Sequence, residues 1–250
     1  MKKLLLSTSG LFALALSSPA FAADLSAPVY KGPPAMIPAV YDWGGFYFGA
    51  NGGWGNQHRC FDATDPTGVF VAAEGCHDAS GAVAGGQVGY RWQSSGWVFG
   101  LEFQGDWTGL SGSNASQAFP GFTNKSRLNA FGLLTGQVGY SWNNALLYVK
   151  GGAAFTNNSE QILVTATSTV VGVSTTDVRW GATAGAGFEY AFTPNWSAAV
   201  EYDHLFVSNR LTNFTTPGGS FFGTDNIRGD ADLVTVRLNY RWGGPVIAKY

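Results

Sequence analysis

Charge is scarce in this chain. Asp, Glu, Lys and Arg make up 12% of its 250 residues, where soluble domains carry roughly 25%. So little charge means that much of the surface does not meet water, yet the hydrophobic fraction is an ordinary 45%. Long apolar runs are also lacking. Beyond the first 22 residues nothing approaches the ~18 apolar residues that a membrane helix needs. A membrane-embedded chain without such helices satisfies its backbone only in a closed barrel. There is no basic patch, which argues against nucleic acid as a partner. No phosphate-binding glycine loop or zinc motif occurs, so no cofactor and no catalytic set is expected.

Glycine, by contrast, is the commonest residue at 35, and aromatics reach 15%. Both fall into a repeat. Gly86-Gln87-Val88-Gly89-Tyr90-Arg91-Trp92 returns fifty residues later as Gly136-Gln137-Val138-Gly139-Tyr140-Ser141-Trp142. Looser copies are Ala186-Gly187-Phe188-Glu189-Tyr190-Ala191-Phe192 and Val236-Arg237-Leu238-Asn239-Tyr240-Arg241-Trp242. A fixed period is the first thing to explain in a sequence. Each copy alternates apolar with small or polar residues, the period-two mark of a strand with two different faces.

Alternation predicts strands near 44–55, 80–92, 96–108, 127–142, 145–155, 178–192, 196–206 and 230–242. None of the ten prolines falls inside them, as ladder hydrogen bonding requires. Gln93-Ser94-Ser95, Asn143-Asn144 and Thr193-Pro194-Asn195 make short connections rich in turn residues. The connections 56–79, 109–126, 156–177 and 207–229 are long and polar and read as loops. Short turns at one end and long loops at the other suit an antiparallel, up-and-down, eight-stranded transmembrane β-barrel of the bacterial outer membrane, with both termini in the periplasm.

Trp97, Phe99, Leu101, Phe103 and Trp107 share one face, while Gly100, Glu102, Gln104, Asp106 and Thr108 share the other. Eight strands enclose only enough room for side chains, so the small side is expected inside and the bulky side against lipid. The in-phase pairs Tyr90 and Trp92, Tyr140 and Trp142, Tyr190 and Phe192, and Tyr240 and Trp242 then form an aromatic girdle at the periplasmic boundary. Arg91, Glu102, Lys150, Arg179, Glu189, Glu201, Asp203, Arg237 and Arg241 fall on the lumenal side. Buried charge is costly unless paired, so these nine are expected to form an ion-pair network that plugs the barrel. The alternative is a narrow ion path lined by the same charges.

Met1-Lys2-Lys3, an apolar segment and Ala20-Phe21-Ala22 compose a secretory signal peptide over 1–22. Its removal takes Lys2 and Lys3 from the 14 basic side chains, leaving 12 against 16 acidic ones, a net of −4. Residues 23–42 hold Pro28, Pro33, Pro34 and Pro38 and read as a periplasmic tether able to reach the cell wall, with the barrel over 43–250. In an exported protein Cys60 and Cys76 are expected to form a disulfide worth about 3 kcal/mol. The set His58, Cys60, Cys76 and His77 offers a metal or haem site as the alternative. His204 lies at the outer end of its strand with Ser208 nearby, short of a nucleophilic set.

Several segments together resemble the small alphaproteobacterial outer-membrane proteins of the porin or surface-antigen type, within the OmpA-like superfamily. They are Ala22-Ala23-Asp24-Leu25, Tyr41-Asp42-Trp43-Gly44-Gly45-Phe46-Tyr47, Gly136 to Tyr140, Tyr148-Val149-Lys150-Gly151-Gly152-Ala153 and Asn239-Tyr240-Arg241-Trp242-Gly243-Gly244-Pro245, running on to Lys249-Tyr250. The resemblance implies an eight-stranded, non-enzymatic surface protein acting in envelope integrity and surface contact. Its partners would be outer-membrane lipid and lipopolysaccharide. A diffusion porin and a haem-binding barrel are the alternatives found among such proteins. No residue pattern assigns a ligand, a host partner or an assembly state.

Overall fold

In the computed structural model the described residues are 41–174 and 177–242. The expected signal peptide, the tether up to residue 40 and the tail beyond Trp242 lie outside them. Eleven strands follow in chain order: β1 (Gly45–Thr64), β2 (Phe70–Ser94), β3 (Trp97–Ala115), β4 (Phe122–Trp142), β5 (Ala145–Val164), β6 (Thr169–Ser174), β7 (Asp177–Ala191), β8 (Trp196–Val207), β9 (Arg210–Thr215), β10 (Phe221–Arg228) and β11 (Ala231–Trp242). Every pairing is antiparallel.

Eight of these strands close a ring. β1 to β5 pair in sequence, β5 passes to β7, β7 to β8, β8 to β11, and β11 returns to β1. Phe46 to Gln57 pair with Trp242 to Ala231, and Ala145 to Asn158 with Tyr190 to Asp177. Closure leaves no edge, which is how a sheet avoids presenting unpaired backbone. The short-turn end is tight. Ser95 (φ 55) and Asn143 (φ 51) take left-handed conformations in two-residue connections, the conformation that two-residue hairpin turns demand.

The long connections are not loops. β1 and β2 stay paired out to Thr64 and Phe70, through register shifts at Phe61/Asp62 and Ala63/Thr64, leaving only 65–69 as the tip. β3 and β4 are separated only by 116–121, β5 and β6 by 165–168, and β9 and β10 by 216–220. The alternation persists through these segments, with Gln57, Arg59 and Phe61 inward and His58 outward. Outside the apolar belt polar residues such as Asn56 and His58 face outward and polar and apolar residues mix inside, so the hydrophobic contrast that marks a strand fades while the backbone pairing continues. The Asp65 carboxylate orders one tip by accepting from Thr67 N at 2.9 Å, Thr67 Oγ1 at 2.7 Å and Val69 N at 2.9 Å.

These extensions build a second ring. β1 leaves β11 for β10 (Cys60↔Arg228 to Thr64↔Thr224), and β5 leaves β7 for β6. β6 pairs with β9 and β9 with β10. The circuit β1-β2-β3-β4-β5-β6-β9-β10 again has eight members, with β6, β9 and β10 standing above β7, β8 and β11.

Outside the first ring Trp97, Phe99, Leu101, Phe103 and Trp107 all project, with Trp196, Val200 and Tyr202 on β8. The eight girdle aromatics lie on this outer side next to the short turns. Tyr90 meets Trp92 edge to face at 4.9 Å and Tyr140 meets Trp142 at 5.0 Å. The inner side is not uniformly small. Leu110, Leu128, Leu133, Leu205 and Leu233 are buried there, with Tyr47 and Tyr148. A close-packed interior leaves no void of that size unfilled. Glycine makes room for the large residues of neighbouring strands: a Cβ on Gly89 would stand 2.5 Å from Tyr47 Oη, and one on Gly187 would collide with the Tyr148 ring.

Candidate functional site: the stacked interior of the barrel

From the short-turn end upward, the interior is a series of storeys. Trp43 sits at the base, just before β1 and 2% exposed. Its amide donates to Gln93 Oε1 at 2.6 Å and its indole to Asn143 O at 3.3 Å. It packs with Val98, Leu146, Tyr148 and Ala191. Tyr41 lies edge-on to it at 4.7 Å, so Tyr41 and Asp42, assigned from sequence to the tether, are part of the barrel base. Arg241 donates to Gly44 O and Pro194 O at 3.1 Å and stands 5.0 Å over the Tyr41 ring.

The next storey is an ion pair held from five strands. Arg91 on β2 donates to Glu189 on β7 at 2.8 Å, and its guanidinium stacks 4.3 Å over the Tyr47 ring. Glu189 also accepts from Ser197 on β8 and, at 3.0 Å, from Asn239 on β11.

Above this lies the densest cluster. Lys150 on β5 approaches Glu201 at 2.7 Å, Glu102 at 3.4 Å and Asp203 at 3.4 Å. Arg237 on β11 donates to Glu102 at 2.5 Å and to Glu201. Tyr47 and Tyr148 each donate a hydroxyl at 2.6 Å, to Glu102 and Glu201 respectively. All five ionisable side chains are buried. Each carboxylate of the Glu pair thus meets two cations and one hydroxyl, the condition under which buried charge is tolerated.

Above the ions the character changes to apolar. Leu110, Leu128, Leu133, Leu205 and Leu233 pack with Val83, Phe131 and Ala231. A further polar storey follows, inside the second ring: Glu160 with Arg59 at 3.6 Å and Arg179 at 4.0 Å, and Arg179 donating to Thr212 Oγ1 at 3.0 Å. Phe61, Ile162, Phe214 and Ile227 close over it.

The nine charges read from sequence are therefore all interior, but they form four groups at different heights. Arg241 belongs to the base, and Arg179, at the top of β7, reaches up to Glu160 and Thr212 in the second ring; the remaining seven make the two ionic storeys between. Sequence reading missed Arg59, Glu160, Glu74 and Asp225, because they lie in segments taken for loops. It also missed the tyrosines, whose phase on their strands was the available signal.

Of the cysteine and histidine set, His58, Cys60 and Cys76 stay together, with His58 Nε2 3.5 Å from Cys60 Sγ, and His77 alone departs. Cys60 and Cys76 face each other across β1 and β2 as a disulfide. His58 is outward and bonded to Asp78 at 2.7 Å. His77 is inward, between Asn114 at 2.8 Å and Ser126 at 2.6 Å. Alternation sends the two rings to opposite faces of the wall, so they do not share a ligand. His204 contacts Asp232 at 2.7 Å, and Tyr202 donates to the same oxygen at 2.5 Å. No Ser hydroxyl joins this group among the described residues, and Ser208 lies beyond the end of β8.

A model of the outer membrane protein beta-barrel domain matches residues 9–242. The chain belongs to that family. The 31 kDa outer-membrane immunogenic protein of Brucella melitensis is 27% identical over 97% of this chain and 100% of its own length. The 22 kDa outer membrane protein of Rhizobium leguminosarum bv. viciae is 29% identical over 75% and 74%. Among solved structures, the outer membrane protease OmpT of Escherichia coli is 11% identical, covering 79% of this chain and 96% of that one, with a TM-score of 0.49. The chain is an outer-membrane β-barrel protein, and the aromatic wall of the first ring is its lipid-facing surface. Family architecture puts the short turns in the periplasm and the long hairpins outside. The second ring then stands above the membrane surface.

Proposed function

We propose that this barrel is a non-enzymatic surface protein with a closed lumen, stabilising the outer membrane and making contacts through its raised hairpins. The observation that carries the reading is the leucine storey lying directly on the two ionic storeys. Leu110, Leu128, Leu133 and Leu205 are each 0% exposed, and an apolar constriction above paired charge opposes the passage of water and ions. Trp43 adds a second obstruction at the periplasmic end. The wide outward aromatic face supports outer-membrane lipid as a partner. Lys125 and Arg127, accessible on β4 in the second ring, supply cations suited to lipopolysaccharide phosphates. The immunogenic naming of the Brucella relative accords with hairpin tips displayed at the cell surface. The tether read from the sequence is taken as the link toward the cell wall.

Planar-bilayer recording on the refolded protein tests closure. The expected record is a flat baseline in concentrated KCl; stepwise conductance from correctly folded protein would refute it in favour of the diffusion channel. For display, antibodies to the 65–69 tip should label intact cells, and labelling only after permeabilisation would reverse the orientation.

A further inference from the structure

Above the Phe61 and Ile227 floor, the second ring opens into a cavity of about 280 Å³. Phe119, Phe122, Phe222 and Ile162 form its apolar walls, and Glu74 and Asp225 supply its carboxyls. No Lys or Arg lines it. Glu74 Oε2 is engaged, accepting from Asn124 Nδ2 at 2.5 Å. Asp225 differs: it is 4% exposed, and its Oδ2 is a buried oxygen with no hydrogen-bond partner among the described residues. A buried carboxylate without a partner is costly, and native structures seldom keep one without a reason.

We propose that this mouth is a binding site for a small organic cation with an aromatic or alkyl body, whose positive centre pairs with Asp225 and lies among the Phe119, Phe122 and Phe222 rings. Aromatic faces attract ammonium and quaternary ammonium groups, the more so when water is excluded. The volume is at the small end of ligand pockets, and mouths of β-barrels are a common place for them. An organic anion would meet two acidic side chains and no base. A neutral hydrocarbon would leave the Asp225 oxygen as it is.

The surroundings of Asp225 also set when the site is charged. Burial pushes its carboxyl up to about 8, and Glu74 on β2, Asp62 on β1 and Glu160 on β5 push in the same direction. The cations nearby are already occupied, Arg228 by Asp62 at 2.6 Å, and Arg59 and Arg179 beside Glu160. Near neutral pH the free site therefore holds a proton on Asp225. An arriving cation takes the place of that proton, which leaves to solvent as the Asp225 O–H bond breaks.

The test uses the refolded full-length mature protein in maltoside micelles and benzyltrimethylammonium, whose charge does not titrate. Calorimetry should show saturable binding at millimolar or lower concentration. Below pH 8 the affinity should fall about tenfold for each pH unit as the proton competes. At pH 8.5, where Asp225 is ionised, benzoate and benzyl alcohol should bind at least tenfold more weakly, and the comparison is made at that pH. Asp225→Asn should weaken cation binding at least tenfold and flatten its pH dependence, with heat-modifiable gel migration confirming the fold. Glu74→Gln provides a second folded variant in which the pH dependence remains but shifts to lower pH. Equal binding of benzoate or benzyl alcohol, pH-independent binding, unaltered binding by Asp225→Asn, or no binding in the millimolar range would each overturn the site. None of these outcomes bears on whether the lumen conducts.

Discussion

Arg237→Leu puts the largest single load on the ionic storey. As charges are counted, Lys150 and Arg237 face Glu102, Glu201 and Asp203, a net of −1 within one buried cluster. Removing Arg237 makes it −2 and leaves Lys150 alone against three carboxylates. At an effective dielectric near 20, each lost contact forfeits about 4 kcal/mol of attraction. Part of that is offset because the guanidinium no longer has to be desolvated. Breaking a buried ion pair from one side typically costs about 3–5 kcal/mol, and the geometry here supports the upper half of that range, since two carboxylates lose a partner together. Urea unfolding of the refolded barrel, followed by tryptophan fluorescence, would measure it. Adding Glu201→Gln to Arg237→Leu restores the charge count to −1 while keeping an oxygen for Tyr148 and Lys150. The double variant should thus be more stable than the single one. A single variant within about 1 kcal/mol of the parent, or a double variant weaker than the single, would refute an interior held by compensated charge.

Three further outcomes follow from other storeys. Trp43→Ala should lower unfolding stability by about 3–5 kcal/mol, the range for emptying a buried indole site, with heat-modifiable migration on gels as the quick readout. The unreduced protein should take up no maleimide, whereas reduction should expose two thiols and lower stability by up to about 3 kcal/mol; mass spectrometry and urea titration read both. Asp225→Asn should stabilise the barrel more at pH 8 than at pH 5. The unfolded Asp ionises near pH 4 while the folded one keeps its proton to about pH 8. Its contribution is therefore complete below pH 4 and is lost as the pH climbs through 8. Melting temperatures across that interval would show it, and a constant difference between variant and parent would contradict it.

The first ring was legible because its two solvents differ so sharply. Lipid outside and packed side chains inside force strict alternation from Trp97 to Trp107, and the fifty-residue period announced four equivalent strands. The interior charges were legible for a related reason: Glu102 stands in phase with Gly100 and Gln104 behind Leu101 and Phe103, and Arg237 with Thr235 and Asn239 behind Val236 and Leu238. The second ring left no such trace. Along Asn56, His58 and Cys60 the outward positions meet water, so nothing in composition separates a paired strand from a polar loop. Asp225 and Glu74 were invisible with it. The leucines of the interior run against the expectation that only small residues fit inside. Leu205 follows Glu201 and Asp203 in strict alternation, and its phase was a better guide than its volume.

Five strands, β1 to β5, are common to both rings, while β6, β9 and β10 belong to the upper one alone. β1 has 20 residues, about 66 Å of chain at roughly 3.3 Å per residue. Inclined near 45°, that is a wall some 47 Å tall, against an apolar band of about 25 Å. The rim is thus carried about 20 Å clear of the bilayer on rigid staves. Sequence drift in β6, β9 and β10 can reshape what the cell shows its surroundings without altering a single lipid contact, because those three strands never enter the membrane.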